Sequence, residues 1–313
     1  MVEASRGSKR PVRSFLSIRD FTRSEIQQLF ALSAKKKREL KEGKTSIDLA
    51  GRILALLFHK PSLRTRVSFE AGMHMLGGTT IYLTDQEIGV GHRESIGDVA
   101  KVLSRYVDGI MIRTFDHSLV VDLAREASIP VINGLTDLLH PCQVLADLFT
   151  AFEKGKDLDS MCVAFLGDGN NVCNSWLNAS TRFHFSLRVC VPKGYEPSAE
   201  IMKVAQSEAR GKIELLRNPV EAARGADVIY TDVWASMGQE KEAAKKKRDF
   251  SGFTVNDKVV SAAKPDCLVM HCLPAHRGEE ITDEVIDGPR SVVFDEAENR
   301  LHVQKAILLK LLG

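Results

Sequence analysis

Residues 53–66 read ILALLFHKPSLRTR, and within them a short apolar run passes directly into a basic turn. The run Ile53–Phe58 has the length and the apolar character of a strand that is covered on both faces of a parallel sheet. Pro61 then marks a turn, and Ser62 stands where the N-cap of a helix belongs. The stretch therefore predicts a buried strand that leads into the start of a helix.

The predicted helix has apolar residues at a regular spacing. Leu63, Val67, Ala71 and Met75 recur every four positions, which places them on one helix face. Gly77 and the glycine after it are typical of a helix end. We therefore expect an apolar face made of these four residues.

The start of this helix has the features of an anion site. Its first N–H groups have no partners within the helix, and the helix dipole favours negative charge there. Arg64 adds a forked donor that suits a phosphate. The alternative is a capped surface helix with solvated arginines. Because Ser62, Arg64 and Thr65 occur together at a strand-to-helix turn, we favour phosphate binding.

The composition is that of a soluble globular protein, with 313 residues, 44% hydrophobic residues and 27% charged residues. A chain of this length predicts two domains, since one domain usually has roughly 100 to 200 residues. The net charge of +2 argues against nucleic acid or an anionic membrane as the main partner. No apolar run reaches the ~18 residues that a membrane helix needs.

The N-terminus and the cysteines bear on the compartment. Residues 1–13 carry four basic residues but no apolar core, so they predict a flexible tail or the remnant of an organelle address and not a secretory signal. The cysteines show no CxxC pairs, which indicates reduced thiols. They are Cys142, Cys162, Cys173, Cys190, Cys267 and Cys272. We expect a cytoplasmic protein, with an organelle matrix after removal of a transit peptide as the alternative.

Strand-like and helix-like segments alternate along the whole chain. The predicted strands are 53–58, 79–83, 109–113, 130–133, 161–166, 187–191, 213–216, 228–231 and 267–270. Such alternation predicts an α/β fold with two doubly wound parallel-sheet domains, the second Rossmann-like, joined by interdomain helices. We place the domain boundary in the polar stretch after the helix that carries Val144 to Phe152, giving domains 1–150 and 151–313.

Two other segments carry specific expectations. Residues 22–40 predict an amphipathic helix with Ile26, Leu29, Phe30 and Leu40 inward and the basic run 35–38 in solvent. Residues 84–93 predict a polar loop, which at that length tends to be functional or mobile.

Polar residues follow several of the predicted strands in the second half, where open α/β sheets bind their ligands. The motif that starts at Gly167 lacks the third glycine of the dinucleotide fingerprint, because Val172 stands there, and this argues against a nicotinamide enzyme. His271, Cys272 and His276 have no second ligand cluster, which argues against a structural zinc. Asp232 begins a loop that ends at a glycine, and its alternative role is an Asx turn that caps the next helix.

Taken together, these motifs resemble those of the ornithine carbamoyltransferases, in the aspartate/ornithine transcarbamylase family. The motifs are Ser62-Leu63-Arg64-Thr65, His140-Pro141-Cys142-Gln143, Asp232 with Ser236-Met237-Gly238, and His271-Cys272-Leu273-Pro274. The resemblance covers essentially the whole chain, as far as Ala297-Glu298-Asn299-Arg300. The first two motifs alone indicate a transcarbamylase, and the last two are those that select ornithine over aspartate.

The resemblance implies two substrates, carbamoyl phosphate and L-ornithine, and no metal or organic cofactor. It implies carbamoyl-phosphate binding by Ser62, Leu63, Arg64, Thr65, Arg113, His140, Gln143, Cys272, Leu273 and Arg300. It implies ornithine binding by Asn171, Asp232, Ser236 and Met237, and catalytic roles for Arg113, His140, Asp232 and Cys272. It also implies a homotrimer with sites at subunit interfaces, and a place in arginine biosynthesis or the urea cycle.

The sequence departs from the family pattern at two places. Leu63 replaces the usual threonine, which is tolerable if its backbone N–H is the donor. In the loop 86–93, which in the family reaches the neighbouring subunit's site, a Gln or His is usual near Gly89, and here His92 or Arg93 would serve instead. Two rival functions stay open: a non-catalytic binding protein for an amino acid or phosphate, and a transcarbamylase for another amine such as putrescine or an acetylated ornithine.

Overall fold

The structure, a computed structural model, describes residues 12–89, 93–235 and 242–313. The predicted N-terminal tail falls largely on residues 1–11 and therefore lies outside this part of the chain. The same holds for His92, Ser236 and Met237.

Nine strands are formed by the described residues, and they build two parallel sheets. The strands are β1 Ile53–Phe58, β2 Thr79–Thr84, β3 Gly109–Arg113, β4 Val131–Leu135, β5 Cys162–Leu166, β6 Ser186–Cys190, β7 Ile213–Leu216, β8 Val228–Thr231 and β9 Leu268–His271. Their order is β2-β1-β3-β4 in the first sheet and β7-β6-β5-β8-β9 in the second. The predicted α/β class with two parallel sheets is confirmed, and each predicted strand is present with ends shifted by at most two residues.

The helices lie between and around these strands. They are α1 Arg23–Lys41, α2 Leu63–Met75, α3 Asp85–Ile88, α4 Ile96–Tyr106, α5 His117–Glu126, α6 Pro141–Glu153, α7 Asn171–Ser180, α8 Ala199–Glu208, α9 Pro219–Ala223, α10 Ala243–Asp249, α11 Asp257–Ser261, α12 Asp283–Ile286 and α13 Val293–Leu312. Helix α6 contacts β4 and α7, while α13 contacts α2, α6 and β9. These two helices therefore join the first sheet to the second.

Each sheet reverses its winding direction once. In the first sheet the chain leaves β1 for β2 and then returns to the other side at β3; in the second it leaves β5 for β6 and returns at β8. Ligands in doubly wound sheets bind beyond the carboxyl ends of the strands at such switch points. The segments after β1, β3, β5 and β8 are therefore where the fold places a site.

Helix α2 begins as predicted but buries a different face. Ser62 is its N-cap, and the Ser62 Oγ accepts a hydrogen bond from the Thr65 N–H at 3.3 Å. The expected apolar face is wrong, since Leu63 and Val67 are 74% and 51% exposed. The buried residues are Thr65, Phe69, Gly72 and Met73. The reason is the packing of α13, whose Lys305 Cγ lies 3.4 Å from where a Gly72 side chain would begin.

Helix α1 also departs from its predicted pattern. Leu40 is exposed, whereas Lys36 and Lys37 in the basic run are buried. Lys37 Nζ donates to Glu153 Oε2 and to Asn299 Oδ1, both at 2.8 Å. The two lysines are buried because carboxylates and an amide from distant segments meet them, and one helix sequence does not reveal such partners.

The segment predicted as a polar loop contains the short helix α3. Glu87 accepts a hydrogen bond from the backbone N–H of Thr84 and so closes the first turn. A four-residue helix is too short to show a periodic apolar pattern, so the sequence did not predict it.

The cysteines and the helices bear on two further expectations. All six cysteines are free thiols. Within the described ranges, no helix combines the length and the apolar character that crossing a membrane requires.

Candidate active site

A cavity of about 590 Å³ lies between the carboxyl ends of the two sheets. Its lining from the first half of the chain comprises Lys60, Pro61, Ser62, Leu63, Arg64, Arg113, Leu135, Asp137 and His140. Its lining from the second half includes Asp168, Asn170, Asn171, Asp232, Lys246, Cys272, Leu273 and Arg300. Both switch points thus contribute to one cavity, and Arg64 and Asp232 share it.

One wall of the cavity is cationic. Lys60 and Arg64 follow β1, Arg113 ends β3, and Arg300 reaches in from α13. Burial, with the nearby Arg300 and Arg64 charges, lowers the pKa of Arg113 to about 10, so the guanidinium keeps its proton at neutral pH. The buried Nε atoms of Arg113 and Arg300 have no hydrogen-bond partner among the described residues. These donors suit a multiply charged oxyanion.

Arg300 also orders the start of α2. Its guanidinium donates to the Thr65 hydroxyl oxygen at 2.8 Å. Thr65 is fully buried behind the cavity wall. Since its oxygen accepts from Arg300, the Thr65 hydroxyl still has a hydrogen to donate.

His140 is the N-cap residue of α6, and its side chain lies at the cavity. Burial and the Arg300 and Arg113 charges hold the pKa of His140 well below its usual range. The imidazole is therefore neutral at physiological pH and offers one N–H donor. Its buried Nδ1 has no partner within the described residues.

The opposite wall carries Asp232 at the end of β8. Its carboxylate accepts hydrogen bonds from Asn170 Nδ2 at 2.6 Å, from the Val233 N–H at 2.8 Å and from Cys272 Sγ at 2.9 Å. Asp168 lies nearby and pairs with Lys246 at 2.6 Å. The Asp232 carboxylate gives this wall a charge that suits a ligand with an ammonium group.

Cys272 is a thiol and not a thiolate. Burial raises the pKa of Cys272 well above its usual value, and the adjacent Asp232 carboxylate raises it further. The S–H therefore donates to Asp232 and fixes the direction of that carboxylate. Cys272 is thus a hydrogen-bond donor at this wall of the cavity.

Hydrogen bonds with His271 stabilise the turn that carries Leu273. Leu273 has a left-handed backbone with φ of 55°, which is rare for a residue with a side chain. Its N–H donates to His271 Nδ1 at 2.8 Å, and His271 Nε2 meets Glu280 Oε1 at 3.1 Å. Nδ1 is therefore the acceptor, and the proton of this imidazole sits on Nε2.

The structure brings most of the predicted site residues together. Ser62, Leu63, Arg64, Arg113, His140, Asn171, Asp232, Cys272, Leu273 and Arg300 line the cavity. Thr65 and Gln143 are buried behind it, and Asn171 Nδ2 donates to the Thr136 carbonyl at 2.6 Å. Ser236 and Met237 lie outside the described residues. The individual roles of all these residues stay predictions.

Sequence reasoning missed several residues at the cavity. Lys60 pairs with Asp137 at 2.6 Å, and Lys246 pairs with Asp168. Asn170 holds Asp232, as described above. The sequence could have indicated Lys60 and Asp168, because they stand beside recognised motifs at strand ends. Lys246 lies in a polar helix and has no such motif beside it.

The comparisons with known proteins divide the chain in two. Residues 13–153 match the carbamoyl-P binding domain of aspartate/ornithine carbamoyltransferase, and residues 159–311 match its Asp/Orn binding domain. The chain belongs to the aspartate/ornithine carbamoyltransferase family. This confirms the resemblance drawn from the motifs.

Relatives and solved structures of this family agree closely with the chain. It is 50% identical over 300 residues to the ornithine carbamoyltransferase of Geobacter metallireducens, covering 96% of this chain and 99% of that protein. It is 51% identical to that of Thermococcus kodakarensis, covering 96% of each. The structure of the ornithine carbamoyltransferase from Pyrococcus furiosus matches with a TM-score of 0.93 and 50% identity, over 96% of this chain and 97% of that one.

Leu63 allows a direct test of backbone anion binding in this carbamoyltransferase. Leu63 is the first residue of α2, a position where proline is tolerated because the N–H lacks a helical partner. A residue that precedes proline must be extended, and Ser62 already has extended dihedrals of φ −164° and ψ 114°. We expect Leu63→Pro to fold normally but to weaken carbamoyl-phosphate binding by about tenfold, since one N–H donor to an anion is lost. Calorimetric titration of carbamoyl phosphate measures this.

The matched control is Leu63→Thr, which changes the exposed side chain and keeps the N–H. We expect its affinity to stay within about threefold of the unsubstituted protein. Equal affinities for the proline and threonine variants would show that the Leu63 N–H does not bind the anion.

Proposed function

We propose that this protein transfers the carbamoyl group of carbamoyl phosphate to the δ-amine of L-ornithine, giving L-citrulline and phosphate. The observation that carries the proposal is the shared cavity, which has a cationic wall built after β1 and β3 and a carboxylate wall built after β5 and β8. The family membership and the names of the relatives support the same reaction.

The cationic wall binds carbamoyl phosphate in this proposal. The N–H groups at the start of α2, together with Ser62 and Arg64, hold the phosphate. Arg113 and Arg300 neutralise its charge, and their buried Nε donors point to a ligand with several oxygen acceptors. Residues 1–150 would form the domain that binds this substrate.

The carboxylate wall binds ornithine. Asp232 holds the amino acid by charge, and Asn171 supplies an amide, with Ser236 and Met237 assigned here from the family motif alone. Leu273 and Cys272 lie near the reacting amine. Residues 151–313 would form the domain that binds this second substrate.

The reaction begins with attack of the neutral δ-amine on the carbamoyl carbon. Such an amine has a pKa near ~10.4, so about one molecule in 10³ is neutral at pH 7. Removal of water from the cavity favours the neutral form. Asp232, whose direction Cys272 fixes, orients the amine towards the carbamoyl carbon.

A tetrahedral intermediate follows, and it expels the phosphate, which takes up the proton that the amine loses and leaves as hydrogen phosphate. Arg113, neutral His140 and the Thr65 hydroxyl are the donors to its oxyanion, and removing one such donor typically slows a reaction by ~10² to 10³. Holding both substrates in one cavity supplies much of the remaining rate. The mechanism requires no metal or organic cofactor, because phosphate is already a good leaving group.

An assay of phosphate release with a panel of amines, with citrulline measured for ornithine, tests the proposal. We expect L-ornithine with carbamoyl phosphate to give citrulline, and aspartate, putrescine and N-acetylornithine to react at least ~100-fold more slowly. Binding of the substrates without citrulline would support the non-catalytic alternative. A faster reaction with another amine would identify a different transcarbamylase.

The assembly and the cellular role are also proposals. We propose a homotrimer in which the segment 86–93 completes the site of a neighbouring subunit, a cytoplasmic location, and supply of citrulline for arginine biosynthesis. Light scattering of the purified protein tests the trimer. A monomer that retains full activity would show that no neighbouring subunit is needed.

A further inference from the structure

Two groups of side chains that could serve as metal ligands lie among the residues that the structure describes. The first, Asp232 with His271 and Cys272, belongs to the active site, and its atoms already form the hydrogen bonds given above. The second, which we call the turn cluster, follows β9, and its donor atoms all lie within 4.8 Å of one another. It comprises His276, Glu279 and Glu280. The mechanism above gives the turn cluster no role.

Glu280 has a carboxylate oxygen that lacks a partner. Its side chain is 0% exposed. Glu280 Oε1 accepts from the His276 backbone N–H at 2.6 Å and meets His271 Nε2 at 3.1 Å. Glu280 Oε2 is also buried, but it accepts no hydrogen bond from any described residue. A buried carboxylate oxygen without a donor or a counter-ion is costly, so Oε2 indicates a bound partner.

The other two members of the turn cluster face each other without a hydrogen bond. Glu279 Oε2 lies 3.9 Å from His276 Nδ1, which is too far for one. Glu279 Oε1 accepts from Lys247 Nζ at 3.0 Å. Both glutamates therefore have one oxygen held by protein donors and a second oxygen left for a ligand. Outer donors that orient ligating carboxylates in this way are typical of metal sites.

The spacing of the turn cluster is close to that of a coordination shell. Protein ligands lie ~2.0 to 2.2 Å from a zinc ion, so two of them are at most ~4.4 Å apart. The His276 side chain is 52% exposed, and a small rotation of its ring can close the remaining gap. Glu279 is 33% exposed. An ion can therefore enter between these two residues and reach the buried Glu280.

The donor set indicates the class of the bound partner. Three acceptors converge in the turn cluster, and a water molecule has only two hydrogens to offer them, whereas a cation can contact all three. An imidazole nitrogen with carboxylate oxygens suits divalent transition-metal ions such as Zn²⁺ and Co²⁺. Mg²⁺ and Ca²⁺ prefer a shell of oxygen ligands.

We propose that His276, Glu279 and Glu280 bind one divalent transition-metal ion beside the active-site cavity. His276 lines that cavity, and Glu280 Oε1 contacts His271, which in turn accepts from the Leu273 N–H. The ion thus stabilises the turn after β9 and takes no part in the transfer of the carbamoyl group. The inference concerns ion binding by the folded chain and does not depend on the proposed reaction.

Equilibrium dialysis of the full chain against Co²⁺ tests the site with four variants. His276→Ala and Glu279→Gln each remove one ligand of the turn cluster. Lys247→Met is the matched control for Glu279→Gln, because it breaks the same ion pair and keeps the carboxylate. Cys272→Ser removes the thiol of the first group, so it reports any ion that binds in the active site instead.

The expected result separates the ligand variants from the controls. We expect His276→Ala and Glu279→Gln to weaken Co²⁺ binding by about tenfold or more. Lys247→Met and Cys272→Ser should stay within about threefold of the unsubstituted protein. The absorption spectrum of the bound Co²⁺ should lack the intense near-ultraviolet band of a cobalt–thiolate bond. Zn²⁺ should displace Co²⁺, and an equal concentration of Mg²⁺ should not.

Circular dichroism of each variant shows whether it folds. If Glu279→Gln does not fold, His276→Ala gives the same test, because it changes a side chain that is half exposed. Absence of Co²⁺ binding, or equal affinity in the ligand variants and the unsubstituted protein, would overturn the inference. Binding that only Cys272→Ser abolishes would place the ion in the active site and would overturn it as well. A failed citrulline assay would refute the proposed function and leave these outcomes unchanged.

Discussion

Replacing Arg64 by alanine is expected to weaken carbamoyl-phosphate binding by at least ~100-fold. Arg64 is the second residue of α2 and lines the cavity beside Arg113 and Arg300. A charge-assisted hydrogen bond contributes about 1.5–3 kcal/mol, and the Arg64 guanidinium can form two of them with one phosphate. Calorimetric titration with carbamoyl phosphate gives the affinity directly.

Arg66 offers a matched control for this experiment. It lies two residues further along α2, pairs with Glu70 at 2.9 Å and stacks over the Tyr82 ring at 3.7 Å, away from the cavity lining. Arg66→Ala removes the same charge from the same helix, and we expect less than about threefold loss of affinity. Equal effects of the two substitutions would mean that overall charge, and not a phosphate site at Arg64, governs binding.

The sequence predicted the strands and the site loops because their signals are local. A buried parallel strand is a continuous apolar run, and the residues that follow it are polar where a ligand binds, as at Phe58 and Thr231. The motif residues after these strands could therefore be assigned to one site before any distance was known.

The expectations that the structure contradicts concern burial, which depends on segments distant in the sequence. The buried face of α2 is set by α13, which packs against Gly72 more than 200 residues away. Lys37 is buried because Glu153 and Asn299 reach it. Periodicity within one helix identifies an amphipathic segment, but it does not name the partners that decide which polar residues are buried.

The buried acids Asp147 and Glu296 illustrate the same limit beside the site. Asp147 follows Gln143 by one helical turn, and in the sequence it reads as an ordinary polar position of α6. Only the fold shows that Asp147 and Glu296, 149 positions apart, are both fully buried and both accept from Gln143 Nε2. Predicted substrate contacts can thus be read from motifs, whereas the groups that orient them require the fold.

Replacing Asp232 by alanine is expected to reduce kcat/KM for ornithine by about 10²- to 10³-fold. Asp232 is buried, and the substitution leaves the Asn170, Val233 and Cys272 donors without their acceptor as well as removing the charge that faces the amino acid. Loss of one partner in a buried charged pair costs about 2–5 kcal/mol, which brackets this range. Steady-state rates of citrulline formation at saturating carbamoyl phosphate measure the effect.

The same variant should bind carbamoyl phosphate within about threefold of the unsubstituted protein, because the cationic wall is built from other strands. Asp232→Asn separates charge from shape: it keeps an oxygen acceptor for part of the donor set but has no charge to attract an ammonium group. If charge recognition governs ornithine binding, the asparagine variant must be nearly as impaired as the alanine variant. Equal losses of affinity for ornithine and carbamoyl phosphate would contradict the assignment of ornithine to the Asp232 wall. Asp232 would then support the binding of both ligands and not of one.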